Sequence, residues 1–245
     1  MKITNQTILI TGGAAGIGLA LSKKFLQLGN RVIAVGRNEQ RLKQLQATYP
    51  DRVLTYQCDV SELDKLQELA TNILTQHPHV SVLINNAGIQ HMYSFLNEEK
   101  HRALIEEEVM INITAPITLT SLLIPLLKKQ EEAAIVNVSS GLGLVPKQSA
   151  PVYCGTKAGI HLFTKALRYQ LEDTNIHVFE VIPPVVDTEM TKGRGKNKMT
   201  PEQLTDEFIK NFKSNHYEME IGKVKLLTTI NRWFPSIAEK ILKKM

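Results

Sequence analysis

Cysteine is nearly absent: Cys58 and Cys154 are the only two in 245 residues. They can supply neither a disulfide framework nor a zinc-ligand spacing, so both read as reduced thiols. The seven histidines make no metal constellation, and no metal site is expected. No apolar run reaches the roughly 18–20 residues of a membrane span, and Met1-Lys2-Ile3 leads on without a secretory signal pattern. A cytoplasmic chain is the expectation. Net charge is only +5 and no aromatic ladder accompanies the basic residues, which argues against nucleic acid as a partner. Lysine and arginine do gather late, from Lys192 and Arg194 through Lys196 and Lys198 to Lys244. An anionic substrate would suit them, but interspersed acids make a solvated face the better reading.

What is present is an alternation of short β-branched runs and helical periods. Thr7-Ile8-Leu9-Ile10 ends at a glycine-rich turn, after which Leu19, Leu21, Phe25, Leu26 and Leu28 recur at helical spacing. Further strands are predicted at 31–36, 53–57, 80–84, 133–138 and 176–182, with helices at 40–48, 62–76, 99–129, 152–171, 201–215 and 235–244. Pro116 and Pro125 should distort the long one. Ala158, Leu162, Ala166 and Tyr169 mark an apolar stripe on the helix at 152–171. Six strands alternating with helices predict one α/β domain over 1–245, a doubly wound, Rossmann-like parallel sheet with helices on both faces. The aperiodic stretch rich in Gly, Lys and Thr that starts at residue 188 predicts a mobile substrate loop at about 188–215.

The ligand crevice of such a sheet lies beyond the carboxyl ends of the strands. There the sequence places Gly12, Gly16, Ile17 and Gly18, then Arg37, Asp59, the run Asn85-Asn86-Ala87-Gly88, Ser139-Ser140 and Pro183-Pro184. The first loop permits close approach of a pyrophosphate to a helix N-terminus. Arg37 stands where an NAD site usually has an acidic residue, and it suits the 2′-phosphate of NADP instead. NADP(H) is therefore the expected cofactor, with NAD(H) as an alternative. Tyr153 and Lys157 are four apart and share a helix face, so the ammonium is expected to favour the phenolate.

Together the T-G-x-x-x-G-x-G loop at 11–18, the N-N-A-G run at 85–88 and the S…Y-x-x-x-K set of Ser140, Tyr153 and Lys157 resemble the short-chain dehydrogenase/reductase family over about residues 5–190. The resemblance implies hydride transfer between a nicotinamide and a small carbonyl or alcohol substrate. Tyr153 would be the acid/base, Ser140 would hydrogen-bond the reacting oxygen, Lys157 would hold the nicotinamide ribose, and Asn112 would position a relay water. Ser140 is chosen over Ser139 because relatives place the serine thirteen residues before the tyrosine. Asp59 and Val60 would contact adenine, Asn86, Ala87 and Gly88 would line the cofactor crevice, and Pro183, Val186 and Thr188 would meet the carboxamide. Pro184 departs from the glycine usual there. The family also implies a homodimer or homotetramer packed through the long helices. A regulatory or scaffold protein that binds a dinucleotide without turning over is the other reading.

Overall fold

The computed structural model describes residues 1–96 and 101–243. Its strands are β1 (Thr7–Thr11), β2 (Arg31–Gly36), β3 (Val53–Gln57), β4 (Val80–Asn85), β5 (Ala133–Val138), β6 (Ile176–Ile182) and β7 (Glu218–Glu220). All pair in parallel in the order β3-β2-β1-β4-β5-β6-β7. The order reverses between β1 and β4, which opens the crevice at their carboxyl ends. The sequence analysis expects six strands; the seventh has only three residues, Glu218-Met219-Glu220, and no apolar run to announce it. Met219 is nevertheless fully buried, because β7 docks against β6 at Val181.

The helices are α1 (Gly16–Gln27), α2 (Glu39–Thr48), α3 (Leu63–Gln76), α4 (Arg102–Val109), α5 (Ala115–Leu127), α6 (Pro151–Gln170), α7 (Pro201–Lys213), α8 (Val224–Trp233) and α9 (Pro235–Leu242). Side chains alternate across the sheet, so Ile8 and Ile10 face one core and Leu9 the other. On the first face Phe25 of α1 meets Phe208 and Phe212 of α7 edge-on. On the second, Leu66, Leu69 and Ile73 of α3 pack with Leu119, Leu123 and Leu127 of α5. The expected helix start at Glu99 and end at Lys244 lie outside the described residues.

Two expectations are corrected. Residues 102–127 run as one helix, long and apolar enough by length and composition to cross a membrane. The 19 residues from Val109 to Leu127 carry no charge, so the chain does hold one run of membrane-spanning length, broken up by Asn112, Thr114, Thr118, Thr120 and Ser121. One side of that helix packs in the second core, and its Thr120 receives a hydrogen bond from Asn85. On α6, the face toward the protein is Cys154, Lys157, Ile160, Thr164 and Leu167, whereas Leu162 and Tyr169 are 66% and 63% exposed. The buried face therefore includes polar residues with partners, which an apolar stripe alone does not trace.

Candidate active site

The glycine turn is shaped by what a side chain would strike. A Cβ on Gly18 would stand 2.2 Å from the Gly12 carbonyl oxygen and 2.5 Å from Asn86 Nδ2. Gly12 itself has φ +67°, a left-handed conformation that favours glycine. Thr11 locks this turn to the loop after β4: its hydroxyl accepts from the Asn86 and Ala87 N–H groups at 3.0 and 3.1 Å, and its carbonyl accepts from Asn86 Nδ2. α1 begins just beyond, with no side-chain cap and no acid in its first turn. Unclaimed N–H groups and the positive end of the helix dipole suit a pyrophosphate. Thr188 closes over the turn, since a Cβ on Gly16 would lie 3.2 Å from its methyl group. The turn, the loop after β4 and the α1 N-terminus thus lie together, with donors of the kind a pyrophosphate requires.

Arg37 is 56% exposed in side chain and lies 3.5 Å from Asp59 and 3.7 Å from Glu107. Burial raises the Asp59 carboxyl, but the Ser61 N–H and hydroxyl, and then Arg37, outweigh it and leave the group below its ordinary value. Asp59 Oδ1 is already engaged by Ser61 in a local turn. Arg41 donates to both carboxylate oxygens of Glu189, tying α2 to the segment after Thr188. Val60 is buried beside Asp59. Beyond β6, Pro183 accepts from the Gly141 N–H, and Val186 bridges to Met199, so the chain with Pro184 in place of glycine remains ordered.

Ser139 is buried, and its N–H and hydroxyl both go to the Val181 carbonyl. Ser140 instead opens the short 3₁₀ turn Gly141–Gly143, accepting from the Leu142 N–H at 3.1 Å. That turn rests directly on the α6 backbone: a Cβ on Gly143 would be 2.7 Å from the Lys157 carbonyl carbon. Close approach brings Ser140 beside Tyr153. Lys157 Nζ donates to the Val138 carbonyl at 2.9 Å and sits 5.8 Å from the Tyr153 ring centre. Asn112 lies in a π-helical turn, Met110–Thr114, which joins α4 to α5. Such turns recur at functional positions. Its amide exchanges hydrogen bonds with the Ile89 backbone and donates to Thr156, whose hydroxyl in turn donates to the Tyr153 carbonyl.

Burial pushes the Tyr153 phenol up to about 12, partly offset by the Ser140 side chain beside it. Burial also lowers Lys157 to about 8, against the pull of Glu180. The expected depression of the tyrosine by the lysine is therefore not what the protein groups produce. The ammonium is desolvated and directed at Val138, so the phenol stays neutral at pH 7.

Sequence reasoning missed the acids around this site. Glu180, fully buried in β6, pairs with His161 one turn beyond Lys157 on α6, at 2.9 Å. A charge inside the apolar run His177-Val178-Phe179-Glu180-Val181 was the available signal. Hydrogen bonding to Glu180 raises the His161 pKa. A raised folded-state pKa stabilises below the unfolded value of about 6.5 and that stability fades as pH rises through the folded value. The stability difference between wild type and His161→Gln should accordingly be fully present below about pH 6.5 and shrink as the pH rises above it. Denaturant midpoints on both sides of that pH test it; a constant difference would show that the pair is never charged. Of the entrance candidates, His91 contacts Glu107, Tyr93 donates to Glu108, Leu142 caps onto Ser140, and Gln148 is exposed with its N–H on Lys243.

The chain resembles known proteins along most of its length. DltE of Bacillus subtilis (strain 168), named as an uncharacterized oxidoreductase, is 42% identical over 238 residues, 95% of this chain and 94% of that protein. The NADP-dependent 3-hydroxy acid dehydrogenase YdfG of Salmonella typhi is 31% identical, with 81% and 86% of the two chains covered. The crystal structure of a short chain dehydrogenase from Burkholderia cenocepacia J2315 in complex with NADP superposes with a TM-score of 0.87 over 99% of both chains, at 23% identity, a likeness of fold. The family model for short chain dehydrogenase matches residues 6–199, the span that carries the glycine turn, Asn112, Ser140, Tyr153 and Lys157, and the chain belongs to that family of oxidoreductases.

Proposed function

We propose that this protein is an NADP(H)-dependent oxidoreductase that interconverts a carbonyl compound and its alcohol. The observation that carries the reading is the convergence of Ser140, Tyr153, Lys157 and Asn112 beside an uncapped α1 N-terminus. NADPH supplies the hydride to the carbonyl carbon when bound. Ser140 and Tyr153 donate hydrogen bonds to the carbonyl oxygen, and the Tyr153 O–H bond breaks as its proton passes to that oxygen. The phenolate left behind faces Lys157, which with a pKa of about 8 is mostly cationic at pH 7. A neutral phenol and a charged lysine are the protonation states that reduction needs. Oxidation runs the roles backwards. Asn112, held by Ile89, would keep a relay water near Lys157: a methyl on Gly88 would stand 3.2 Å from Asn112 Oδ1 and 3.5 Å from Lys157 Nζ.

Asn86, Ala87, Gly88, Val60 and Asp59 would border the cofactor, with Pro183, Val186 and Thr188 at its nicotinamide end. Residues 188–200 would be the mobile part of the substrate loop, since α7 beyond is anchored by buried Leu204, Phe208 and Phe212. The exposed Leu162 and Tyr169 support a homodimer or homotetramer through α6, which light scattering tests by mass. A cytoplasmic location follows if the apolar face of the helix at 102–127 remains in the core, as fractionation would report.

Arg37 gives the cofactor preference. Replacing it with alanine should weaken NADPH by about 10–100-fold, the worth of charge-assisted hydrogen bonds to a phosphate, and leave NADH within a few-fold. Fluorescence titration of both cofactors decides it. Equal affinity of the wild type for NADH and NADPH would remove the role assigned to Arg37.

A further inference from the structure

We propose that the substrate carries an oxyanion, a carboxylate or a phosphate, bound by Arg194 and Lys147 while its carbonyl sits at Tyr153. The inference rests on the hydride-transfer reading and narrows its substrate class. Arg194 belongs to the late run of basic residues, where composition alone suggests a solvated face. Its position in the fold differs. One guanidinium nitrogen donates to Gln90 Oε1 at 2.6 Å and another to the Met190 carbonyl, which fixes the fork beside the loop that follows β4. Lys147 comes from the opposite loop, between β5 and α6, and its N–H points to the sulfur of Cys154, next to Tyr153.

Neither cation has a carboxylate within 4.0 Å among the described residues, although Lys198, on the same segment as Arg194, pairs with Asp187. Lys147 is half-buried, and burial together with the nearby Arg194 lowers its pKa. Gln90, which holds Arg194, follows Gly88, whose added Cβ would stand 3.5 Å from Lys157 Nζ, and the Lys147 N–H lies 3.5 Å from Cys154 Sγ, so both loops reach the Tyr153 end of α6. Arg194 and Lys147 repel one another, and a bound oxyanion would relieve that repulsion.

Donors without acceptors mark the same place. Gln90 spends its oxygen on Arg194, and its buried Nε2 has no partner among the described residues; nor has the buried Ser149 Oγ, two residues from Lys147. Buried donors are normally satisfied, and here the missing complement is an acceptor. The buried acid nearby, Glu108, does not fill that role, because its oxygens already accept from the His91 N–H and the Tyr93 hydroxyl. An arginine fork, an ammonium and two neutral donors form an arrangement suited to a carboxylate or phosphate.

Calorimetric titration of the full chain with NADP⁺ present tests this with two matched pairs: acetoacetate against methyl acetoacetate, and dihydroxyacetone phosphate against dihydroxyacetone. At least one anion should bind about tenfold or more tightly than its neutral counterpart. Arg194→Gln and Lys147→Gln should each remove most of that advantage and leave the neutral compound unchanged, with Arg194→Lys intermediate. The pair that discriminates identifies the oxyanion. Equal binding within both pairs, no binding of either anion, or an advantage that survives Arg194→Gln would overturn the proposal. Tyr153→Phe separates it from the hydride-transfer reading: the variant should keep the anion's advantage over its neutral counterpart. If anions bind as expected while no carbonyl compound is reduced, hydride transfer falls and the anion site stands.

Discussion

Tyr153→Phe is expected to lower kcat by about 10²–10⁴-fold, the usual worth of a positioned general acid, while NADPH affinity changes little. The substitution keeps the ring packed between Ser140 and Lys157 and removes only the transferable proton. A neutral phenol is the group poised to act, because burial holds its pKa up at about 12. The measurement is NADPH oxidation with a panel of carbonyl compounds, alongside direct titration of NADPH to both proteins. Retained turnover would place the proton donor elsewhere and break the mechanism. Wild-type NADPH binding without turnover of any substrate, joined to a cellular effect that Tyr153→Phe does not alter, would instead favour a dinucleotide-binding scaffold.

Gly18→Ala should be nearly as damaging by a different route. The added methyl group would meet the Gly12 carbonyl oxygen at 2.2 Å and Asn86 Nδ2 at 2.5 Å, distances that no side-chain rotation relieves on the Gly12 side. Either the turn opens or α1 shifts, and both break the hydrogen bonds by which Thr11 and Asn86 hold the two cofactor loops together. A stability loss of about 1–3 kcal/mol, typical of overpacking, should accompany a loss of roughly 100-fold in kcat/KM from misplaced cofactor. Thermal unfolding and NADPH titration read the two effects separately. Wild-type cofactor affinity in the alanine variant would show that this turn does not approach the dinucleotide.

Sheet and site were legible to different degrees. β2, β5 and β6 stand where β-branched runs place them, since strands buried on both faces write themselves as continuous apolar segments, and the edge strand β3 stands at its expected 53–57 although Leu54 is exposed. β7 was not legible: three residues with glutamates at both ends become a strand only because β6 offers an open edge. The π-helical turn around Asn112 carries no sequence signal of its own and rests against α6, where a Cβ on Gly159 would stand 2.7 Å from Ile113. The Glu180–His161 pair and the unpartnered Gln90 Nε2 are likewise products of elements distant in the chain.

The sequence alone determined the glycine turn and the parallel alternation, because these depend on local backbone freedom and on period; the choice of Ser140 rests on the spacing that the family resemblance implies. Only the tertiary structure decided the electrostatics of the site. Burial raised Tyr153 and lowered Lys157, where spacing alone suggests the reverse for the tyrosine. It likewise set Arg194 against Gln90 instead of leaving it in solvent. A pKa and a charge's partner depend on desolvation and on neighbours from other elements, and neither is written in the order of residues.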